Sequence, residues 1–399
     1  MPKIKAETKV LEGNAAVAYA ATLCRPDVVA AFPITPATSV LEKLYDFSAK
    51  GFLDAEMVEV EGENSAMSTL IGATSAGARA FTATSSMGLA FMYDAYLWAA
   101  GSRLPIVMPI ALREQPAPLV LAAGESDSFY VKDGGWIQIH VETCQEILDT
   151  IIMAYRLAED ETVLLPVNVC YLGFYLSYLS QRVDIPDQDE VDTFLAPLKK
   201  MKRTRLCLEE PLTFPAELNP ADPLFMEYRY KHCAAMERAK TTWDLIDTQF
   251  AESFARSYGG QIEAYRAEDA EILLVTIGSA TGTAREVIDS KRANGVQVGL
   301  IKIRMFRPFP RERLITALSG KKGVGVIDRH PVFGWGCGHI FFELKALQND
   351  LETRIPMVDF LVGAGGADIT VEHMERAVEI TRDAAQGKPV KETTWLALE

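Results

Sequence analysis

The sequence lacks several features that would assign a chain to a particular class. Its six cysteines contain no CxxC pair, and its five histidines form no HxxxH or HExxH motif. We therefore expect reduced, buried thiols, with no disulfide framework, zinc site or iron–sulfur cluster held by this chain alone. Residues 1–14 contain no apolar signal-peptide core, and no apolar run is long enough to span a bilayer. The sequence thus predicts a cytoplasmic protein without a membrane partner.

An excess of positive charge is also missing. The chain has 40 Lys and Arg against 54 Asp and Glu, which gives a net charge of −14. This balance argues against nucleic acid and anionic membranes as the main partners. The composition is otherwise ordinary for a globular protein, with 49% hydrophobic residues. A length of 399 residues favours two hydrophobic cores over one.

Alternating strand-like and helix-like segments predict an α/β protein with two parallel-sheet domains. In the first half, four successive predicted strands end at Thr35, near Glu63, at Ser85-Ser86 and at Arg113. Because the ends of parallel strands gather along one edge of an open sheet, these polar residues should lie close together. That edge is where α/β proteins usually present groups to a ligand.

The second run of alternation begins at Ala270 and ends with a predicted last strand at Met357–Val362. Between the two regions, the proline-rich segment Leu176–Tyr265 predicts a peripheral arm and a connector. The predicted divisions are a first domain with its arm (1–235), a connector (236–268) and a second domain (269–399).

Two glycine-rich stretches could be mistaken for nucleotide-binding loops. GSATGT at 278–283 lacks the GK[ST] of a P-loop, and GWGCG at 334–338 lacks the GxGxxG spacing. Both are better interpreted as tight turns. The irregular stretch 114–135 is different, since a loop of that length inside a compact domain is more often functional than not.

The stretch from Met57 to Gly88 is the strongest candidate for the chemistry. Glu63 opens a predicted helix of Ala, Ser and Gly, whose small side chains allow another surface to approach the backbone. A carboxyl group in such a crowded place could share a proton with a bound ring nitrogen. The alternative is that Glu59 and Glu61 form the solvated face of an edge strand, and that Glu63 is a first-turn acid favoured by the helix dipole.

Six sequence blocks, in order from about residue 10 to 370, resemble the α subunit of the thiamine-diphosphate-dependent 2-oxoacid:acceptor oxidoreductases, the pyruvate:ferredoxin type. The blocks are FPITPAT (Phe32–Thr38), EVEGENSAM (Glu59–Met67), FTATSSMGL (Phe81–Leu89), RLPIVM (Arg103–Met108), SDSFYVKDGGWIQ (Ser126–Gln138) and RMFRPFP (Arg304–Pro310). The resemblance implies a pyrimidine-binding thiamine-diphosphate fold followed by a transketolase C-terminal-like domain.

The resemblance also implies cofactors and partners. Thiamine diphosphate would be shared with a β-type subunit that holds its diphosphate and Mg²⁺, so this chain would contribute no metal ligand. Iron–sulfur clusters would lie in γ- and δ-type or other partner subunits. The electrons of an oxidative decarboxylation would pass to ferredoxin or to a flavoprotein with NAD. Coenzyme A would usually receive the acyl group as co-substrate.

Site residues follow from positions in the matched blocks. Glu63 matches the glutamate that hydrogen-bonds the aminopyrimidine ring and favours the tautomer that takes the thiazolium C2 proton. Thr35 matches a threonine near the substrate carboxylate and the cofactor, and Arg113 an arginine that pairs with that carboxylate. For Arg113 alone, a surface ion pair is an equal alternative. Ser85, Ser86 and Met87 complete the expected cofactor-binding set.

Two departures bear on the substrate. Where pyruvate-type α subunits have an Asn-Arg-Ala-like stretch and an Asp-His, this chain has Leu112-Arg113-Glu114-Gln115 and Gly124-Glu125-Ser126-Asp127. The segment Pro116–Leu121 is notably apolar. We therefore expect a 2-oxoacid bulkier than pyruvate, such as phenylglyoxylate or a branched-chain acid. The alternatives are a pyruvate synthase α subunit, a non-catalytic scaffold of the same fold, and a transketolase-type transferase.

Overall fold

The computed structural model describes residues 2–195, 208, 211, 218, 219 and 223–398. Two large sheets, of seven and six strands, organise these residues, and both are mostly parallel. The predicted α/β class with two parallel sheets is thereby confirmed. Part of the predicted peripheral arm, including Pro197, Pro215 and Pro220, lies outside the described residues. No helix among the described residues is long and apolar enough to cross a membrane.

The N-terminal half supplies most of the first sheet. Its strands are β1 (Glu7–Glu12), β2 (Val28–Ala31), β3 (Glu56–Glu59), β4 (Ala80–Phe81), β5 (Val107–Leu112), β6 (Ile137–Val141), β7 (Val167–Leu172) and β8 (Ser180–Ile185). Its helices are α1 (Gly13–Leu23), α2 (Thr38–Ala49), α3 (Glu63–Ser75), α4 (Ser86–Phe91), α5 (Tyr93–Gly101), α6 (Ser126–Tyr130), α7 (Cys144–Ala158), α8 (Tyr175–Tyr178), α9 (Gln188–Leu195) and α10 (Leu224–Phe254).

The C-terminal half forms the second sheet and adds one strand to the first. Its strands are β9 (Ile262–Tyr265), β10 (Ile272–Ile277), β11 (Val298–Ile303), β12 (Met305–Arg307), β13 (Gly323–Asp328), β14 (Pro331–Val332), β15 (Cys337–Gly338), β16 (Met357–Leu361) and β17 (Thr393–Trp395). Its helices are α11 (Ala280–Ala293), α12 (Arg311–Leu318), α13 (His339–Leu347) and α14 (Val371–Ala385). Short 3-10 turns occur at Gln348–Asp350, Ala364–Gly366 and Leu396–Leu398.

Strand order explains which segments are buried. The first sheet runs β12-β6-β7-β5-β4-β2-β3, and the second runs β17-β16-β13-β10-β11-β9. The central strand β5 is buried at every position because helices cover both faces, as its unbroken apolar sequence predicts. The edge strand β3 is only half-buried. The two small antiparallel pairs, β1 with β8 and β14 with β15, lie outside these sheets.

Several predicted elements differ in extent from the observed ones. The sequence predicts a strand over 79–86 and a helix over 89–100. The structure has only the two-residue β4 in the first range, and it divides the second between α4 and α5 at Met92. Helix α6, which lies within the irregular stretch, and strand β6, which lies just after it, were not predicted. The prediction that Met357–Val362 is the last strand is wrong, since β17 follows it and pairs with β16. Three-residue strands such as β17 are too short to show a periodic pattern.

A buried charge cluster joins the two sheets. Thr143 caps α7 by accepting a hydrogen bond from the backbone N–H of Glu146, which places that carboxylate in the first turn. Lys302 Nζ, on β11, donates to Glu146 Oε2 at 2.8 Å, and Arg304 Nε donates to Oε1 at 2.7 Å. All three side chains are almost fully buried. Directly after Arg304, β12 leaves the second sheet and pairs antiparallel with β6 of the first.

We predict that Glu146→Gln lowers the free energy of unfolding by about 3 kcal/mol, because two buried cations lose their nearest carboxylate and keep only the more distant Glu142, Glu263 and Asp247. Although burial opposes ionisation, Lys302 and Arg304 lower the pKa of Glu146 to about 2. This stabilisation is therefore fully present above the ordinary glutamate pKa and is lost as the pH falls towards 2. Denaturant unfolding at several pH values measures both effects. The exposed Glu161→Gln is the control, and equal stabilities of the two variants would contradict the prediction.

Candidate active site

Glu63 is the first residue of α3, and its side chain is buried although it is acidic. The side chain lies against Gly88 of α4, where an added Cβ would come within 2.7 Å of Glu63 Oε1 and 2.6 Å of Thr84 Oγ1. Thr84 Oγ1 is buried and has no hydrogen-bond partner among the described residues. The predicted combination of a crowded carboxylate and small neighbours is therefore present. Only glycine at position 88 permits this approach.

The neighbouring glutamates behave as the alternative interpretation expects. Glu59 is exposed at the end of the edge strand β3 and accepts a hydrogen bond from the Tyr45 hydroxyl. Glu61 is also exposed and accepts one from Ser65 at 2.6 Å. Burial thus distinguishes Glu63 from the other two carboxylates of the same segment. Its position at the N-terminus of α3 is also favourable for a negative charge.

Ser85 connects the first sheet to α4, and Ser86 and Met87 are the first two residues of that helix. Ser85 Oγ donates to the carbonyl of Ala111, and Ser86 Oγ donates to the carbonyl of Glu114, both at 2.7 Å. These hydroxyl protons are therefore used to fix this segment beside the end of β5. Met87 is exposed. A role of these three residues in cofactor binding stays a prediction.

Arg113 directly follows β5 and is only 3% exposed. Its Nη1 donates to the carbonyl oxygen of Thr35 at 2.7 Å, so the structure brings these two predicted site residues into contact. Its Nε is buried without a hydrogen-bond partner, and no carboxylate of the described residues forms an ion pair with the guanidinium. Burial lowers the pKa of Arg113. A surface ion pair does not describe it, and Thr35 itself is exposed at the same edge.

Asp127 connects the segment around Ser86 with the segment around Arg113. The sequence predicted no role for this residue. Its Oδ2 accepts hydrogen bonds from the backbone N–H groups of Ser86 and Arg113, each at 3.0 Å. The side chain is fully buried, and burial raises the pKa of Asp127 to about 7 although backbone N–H groups favour its charged form. The residue lay inside one of the matched blocks, but only the fold shows its contacts.

The second sheet also contributes to the site. After β13, Arg329 Nε lies 3.7 Å from Glu125 Oε1, and His330 Nδ1 lies 3.5 Å from Glu114 Oε2. Burial opposes ionisation of Glu114, but its hydrogen bonds to His330 and Ser126 lower its pKa. The irregular stretch after Arg113 therefore contacts side chains that follow a strand of the second sheet.

Family models match most of the chain. Residues 19–247 match the thiamine-diphosphate-binding domain of pyruvate flavodoxin/ferredoxin oxidoreductase, and residues 270–374 match core domain II of pyruvate:ferredoxin oxidoreductase. The chain belongs to this family. It is an α subunit of the thiamine-diphosphate-dependent 2-oxoacid oxidoreductases, which confirms the resemblance seen in the sequence.

Curated relatives of full length act on different 2-oxoacids according to their names. The chain is 44% identical to pyruvate synthase subunit PorA of Methanothermobacter thermautotrophicus, over 98% of both chains. It is 39% identical to the α subunit of NADH-dependent phenylglyoxylate dehydrogenase of Aromatoleum evansii, over 98% of this chain and 95% of the relative. It is 41% identical to ketoisovalerate oxidoreductase subunit VorA of Pyrococcus horikoshii, over 98% of both.

Solved structures support the fold. A 2-oxoglutarate:ferredoxin oxidoreductase from Magnetococcus marinus, with 2-oxoglutarate, coenzyme A and succinyl-CoA bound, has a TM-score of 0.72 at 20% identity. The match covers 95% of this chain and 65% of that chain. A split-gene transketolase, an inactive β4 tetramer, has a TM-score of 0.56 at 13% identity, over 92% and 96% of the two chains. The predicted pairing of a thiamine-diphosphate fold with a transketolase C-terminal-like domain is confirmed.

The residues around Glu63 fit the pyrimidine ring of thiamine diphosphate. The ring nitrogens and amino group need a hydrogen-bonding partner at a place that side chains leave accessible. Glu63 offers a buried carboxylate, Thr84 offers a hydroxyl without a partner, and Gly88 allows both groups to lie close to its backbone. No group of three or more His, Cys, Asp and Glu that could ligate a metal occurs in the described part of the chain.

We predict that Gly88→Ala abolishes most of the catalytic activity of the assembled complex without unfolding it. The added methyl group would lie 2.7 Å from Glu63 Oε1 and displace that carboxylate. Gly72→Ala, in the same helix as Glu63, is the matched control because nothing lies within 4 Å of its added methyl. Turnover and thermal unfolding measure the two outcomes. Full activity in Gly88→Ala would show that the Glu63 carboxylate need not occupy this place.

Proposed function

We propose that this chain contributes the pyrimidine-binding half of an active site that oxidatively decarboxylates a 2-oxoacid, within a hetero-oligomeric complex. The observation that supports the proposal best is Arg113, a buried guanidinium without a carboxylate partner among the described residues. Burying an unpaired cation is costly, so a negatively charged ligand beside it would stabilise the site. A planar substrate carboxylate fits the geometry of a guanidinium.

The roles of the residues follow from their places. Thiamine diphosphate, when bound, supplies a nucleophilic carbon and accepts the electron pair that departing CO₂ leaves behind. Glu63 would hold the pyrimidine ring and its proton, while Arg113 and Thr35 would bind the carboxylate of the 2-oxoacid. Ser85, Ser86 and Met87 would line the cofactor-binding site beside Glu63. Burial of Glu63 and Arg113 would exclude water from both contacts.

The partners are part of the proposal. A β-type subunit would hold the diphosphate and Mg²⁺, and γ- and δ-type subunits would carry iron–sulfur clusters. Ferredoxin, or a flavoprotein with NAD, would accept the electrons, and coenzyme A the acyl group. The names of the curated relatives as subunits support an assembly of this kind.

The domain limits and the compartment are proposed on separate grounds. We propose domains at 1–235 and 269–399 with a connector at 236–268; the second family model, 270–374, begins at the second of these limits, whereas the first, 19–247, extends into the connector. Free cysteines at five described positions, four of them buried, suit the reducing cytoplasm.

We predict that Glu63→Gln lowers kcat of the assembled complex by about 100-fold or more, because a neutral amide cannot hold the proton that the carboxylate holds. Glu61→Gln is the matched control, an exposed carboxylate two residues away. The measurement is 2-oxoacid-dependent reduction of an electron acceptor by the purified complex.

Two results would favour other functions. Unchanged turnover in both Glu63→Gln and Arg113→Ala complexes would indicate a scaffold subunit whose catalytic residues lie elsewhere. An active complex without iron would indicate a transketolase-type transferase, since electron transfer to clusters would then be impossible. Copurification followed by metal and cofactor analysis tests the second case directly.

We further propose a 2-oxoacid bulkier than pyruvate. The segment Pro116–Leu121 follows Gln115, whose side chain donates to the Ser86 carbonyl at 2.7 Å, so the segment begins beside the site. Leu119 and Leu121 are 64% and 55% exposed, and they offer apolar surface that a small, polar substrate would not use. Pyruvate is the alternative, which the relative from Methanothermobacter thermautotrophicus favours by its name.

We predict that kcat/KM for phenylglyoxylate or 2-oxoisovalerate exceeds that for pyruvate by about tenfold or more, as expected for added apolar contacts in a binding pocket. Steady-state kinetics of the complex with each acid alone measures the ratio. Replacing both Leu119 and Leu121 by Ala should reduce it. A higher kcat/KM for pyruvate in the unmodified complex would reject the bulky substrate.

A further inference from the structure

A single carboxylate oxygen of Asp127 joins two segments that are far apart in the sequence. Asp127 Oδ2 accepts from the N–H of Ser86, 41 residues earlier, and from the N–H of Arg113, 14 residues earlier. Its other oxygen, Oδ1, accepts from the N–H of Ser128 at 2.9 Å. Both oxygens of this fully buried side chain are therefore used.

Each segment carries a different part of the candidate site. Ser86 lies two residues before Gly88, against which the Glu63 side chain packs. Arg113 carries the unpaired guanidinium that contacts Thr35. The position of Asp127 therefore affects both the backbone segment that packs against Glu63 and the position of the Arg113 guanidinium.

Other contacts across the same junction agree with this arrangement. Ser86 Oγ donates to the carbonyl of Glu114, and Gln115 Nε2 donates to the carbonyl of Ser86, both at 2.7 Å. Ser86 has a φ of +41°, a left-handed backbone conformation that non-glycine residues adopt only when their surroundings hold it. The bond from its N–H to Asp127 is one of the contacts that hold it.

We propose that Asp127 is a positioning residue that sets the separation between the Glu63 carboxylate and the Arg113 guanidinium. The inference rests on the proposed function, in which the first group meets the cofactor and the second binds the substrate carboxylate. Asp127 touches neither ligand itself. It acts through the backbone amides at the start of α4 and the end of β5.

Asparagine at this position tests the proposal because it has nearly the same shape and only one acceptor oxygen. Its amide group must face either the two N–H groups of Ser86 and Arg113 or the N–H of Ser128, and a donor facing a donor breaks that contact. Asp149→Asn is the matched control. Asp149 is equally buried and accepts hydrogen bonds from Arg256 and Tyr258, and none of its described partners belongs to the site.

The experiment uses the assembled complex and three measurements: KM for the 2-oxoacid, the equilibrium Kd of oxamate as an unreactive 2-oxoacid isostere, and the thermal unfolding midpoint. We expect Asp127→Asn to raise KM and the oxamate Kd by about tenfold or more, since small displacements of positioned groups have effects of this size. Asp149→Asn should lower the unfolding midpoint and leave both constants unchanged. Arg113→Ala gives the reference for complete loss of the carboxylate contact.

The possible failures are distinguishable. If Asp127→Asn lowers only the unfolding midpoint, as Asp149→Asn does, Asp127 is merely structural and the proposal is overturned. If Glu63→Gln retains full turnover, the proposed function fails, and the inference fails with it. If Asp127→Asn does not assemble, Gln115→Ala removes a second bond across the same junction, and an unchanged oxamate Kd there overturns the proposal.

Discussion

The burial of the Arg113 guanidinium without an ion-paired carboxylate among the described residues is the constraint on which the arrangement of the site depends. Its described hydrogen-bond partner is the Thr35 carbonyl, a neutral dipole that compensates the charge only in part. A stable fold can hold such a group when surrounding contacts fix it in place. Here the backbone of Arg113 is held by Asp127, so that under the proposed function the guanidinium would be in place before the substrate carboxylate binds.

Parallel topology explains why these residues meet. Strands β2, β4 and β5 are neighbours in the first sheet, so the segments that follow them emerge at the same edge. Thr35 follows β2, Ser86 follows β4, and Arg113 follows β5. Glu63 follows β3, next to β2, and reaches the same edge from the start of α3. Four segments separated in sequence thus supply one site.

The second sheet is more than an appended domain. Arg329 and His330 lie beside Glu125 and Glu114 of the irregular stretch, and the N–H of Gly365 donates to Glu114 Oε1 at 3.3 Å. On another side, Glu146 binds Lys302 and Arg304 across the junction of the two sheets. These contacts make the conformation of the stretch after Arg113 dependent on both sheets.

The sequence by itself determined the family and the α/β class, and it selected Glu63 as the candidate acid at a helix start. It also predicted the strand–helix alternation that begins at Ala270, because continuous apolar runs and helical periodicity are local signals. The break between α4 and α5, the shortness of β4 and the addition of β12 to the first sheet depended on tertiary packing. The same holds for Asp127, whose role arises from backbone N–H groups 14 and 41 residues away. Hydrogen bonds between distant segments leave no periodic pattern in the chain, and so only the folded structure decided them.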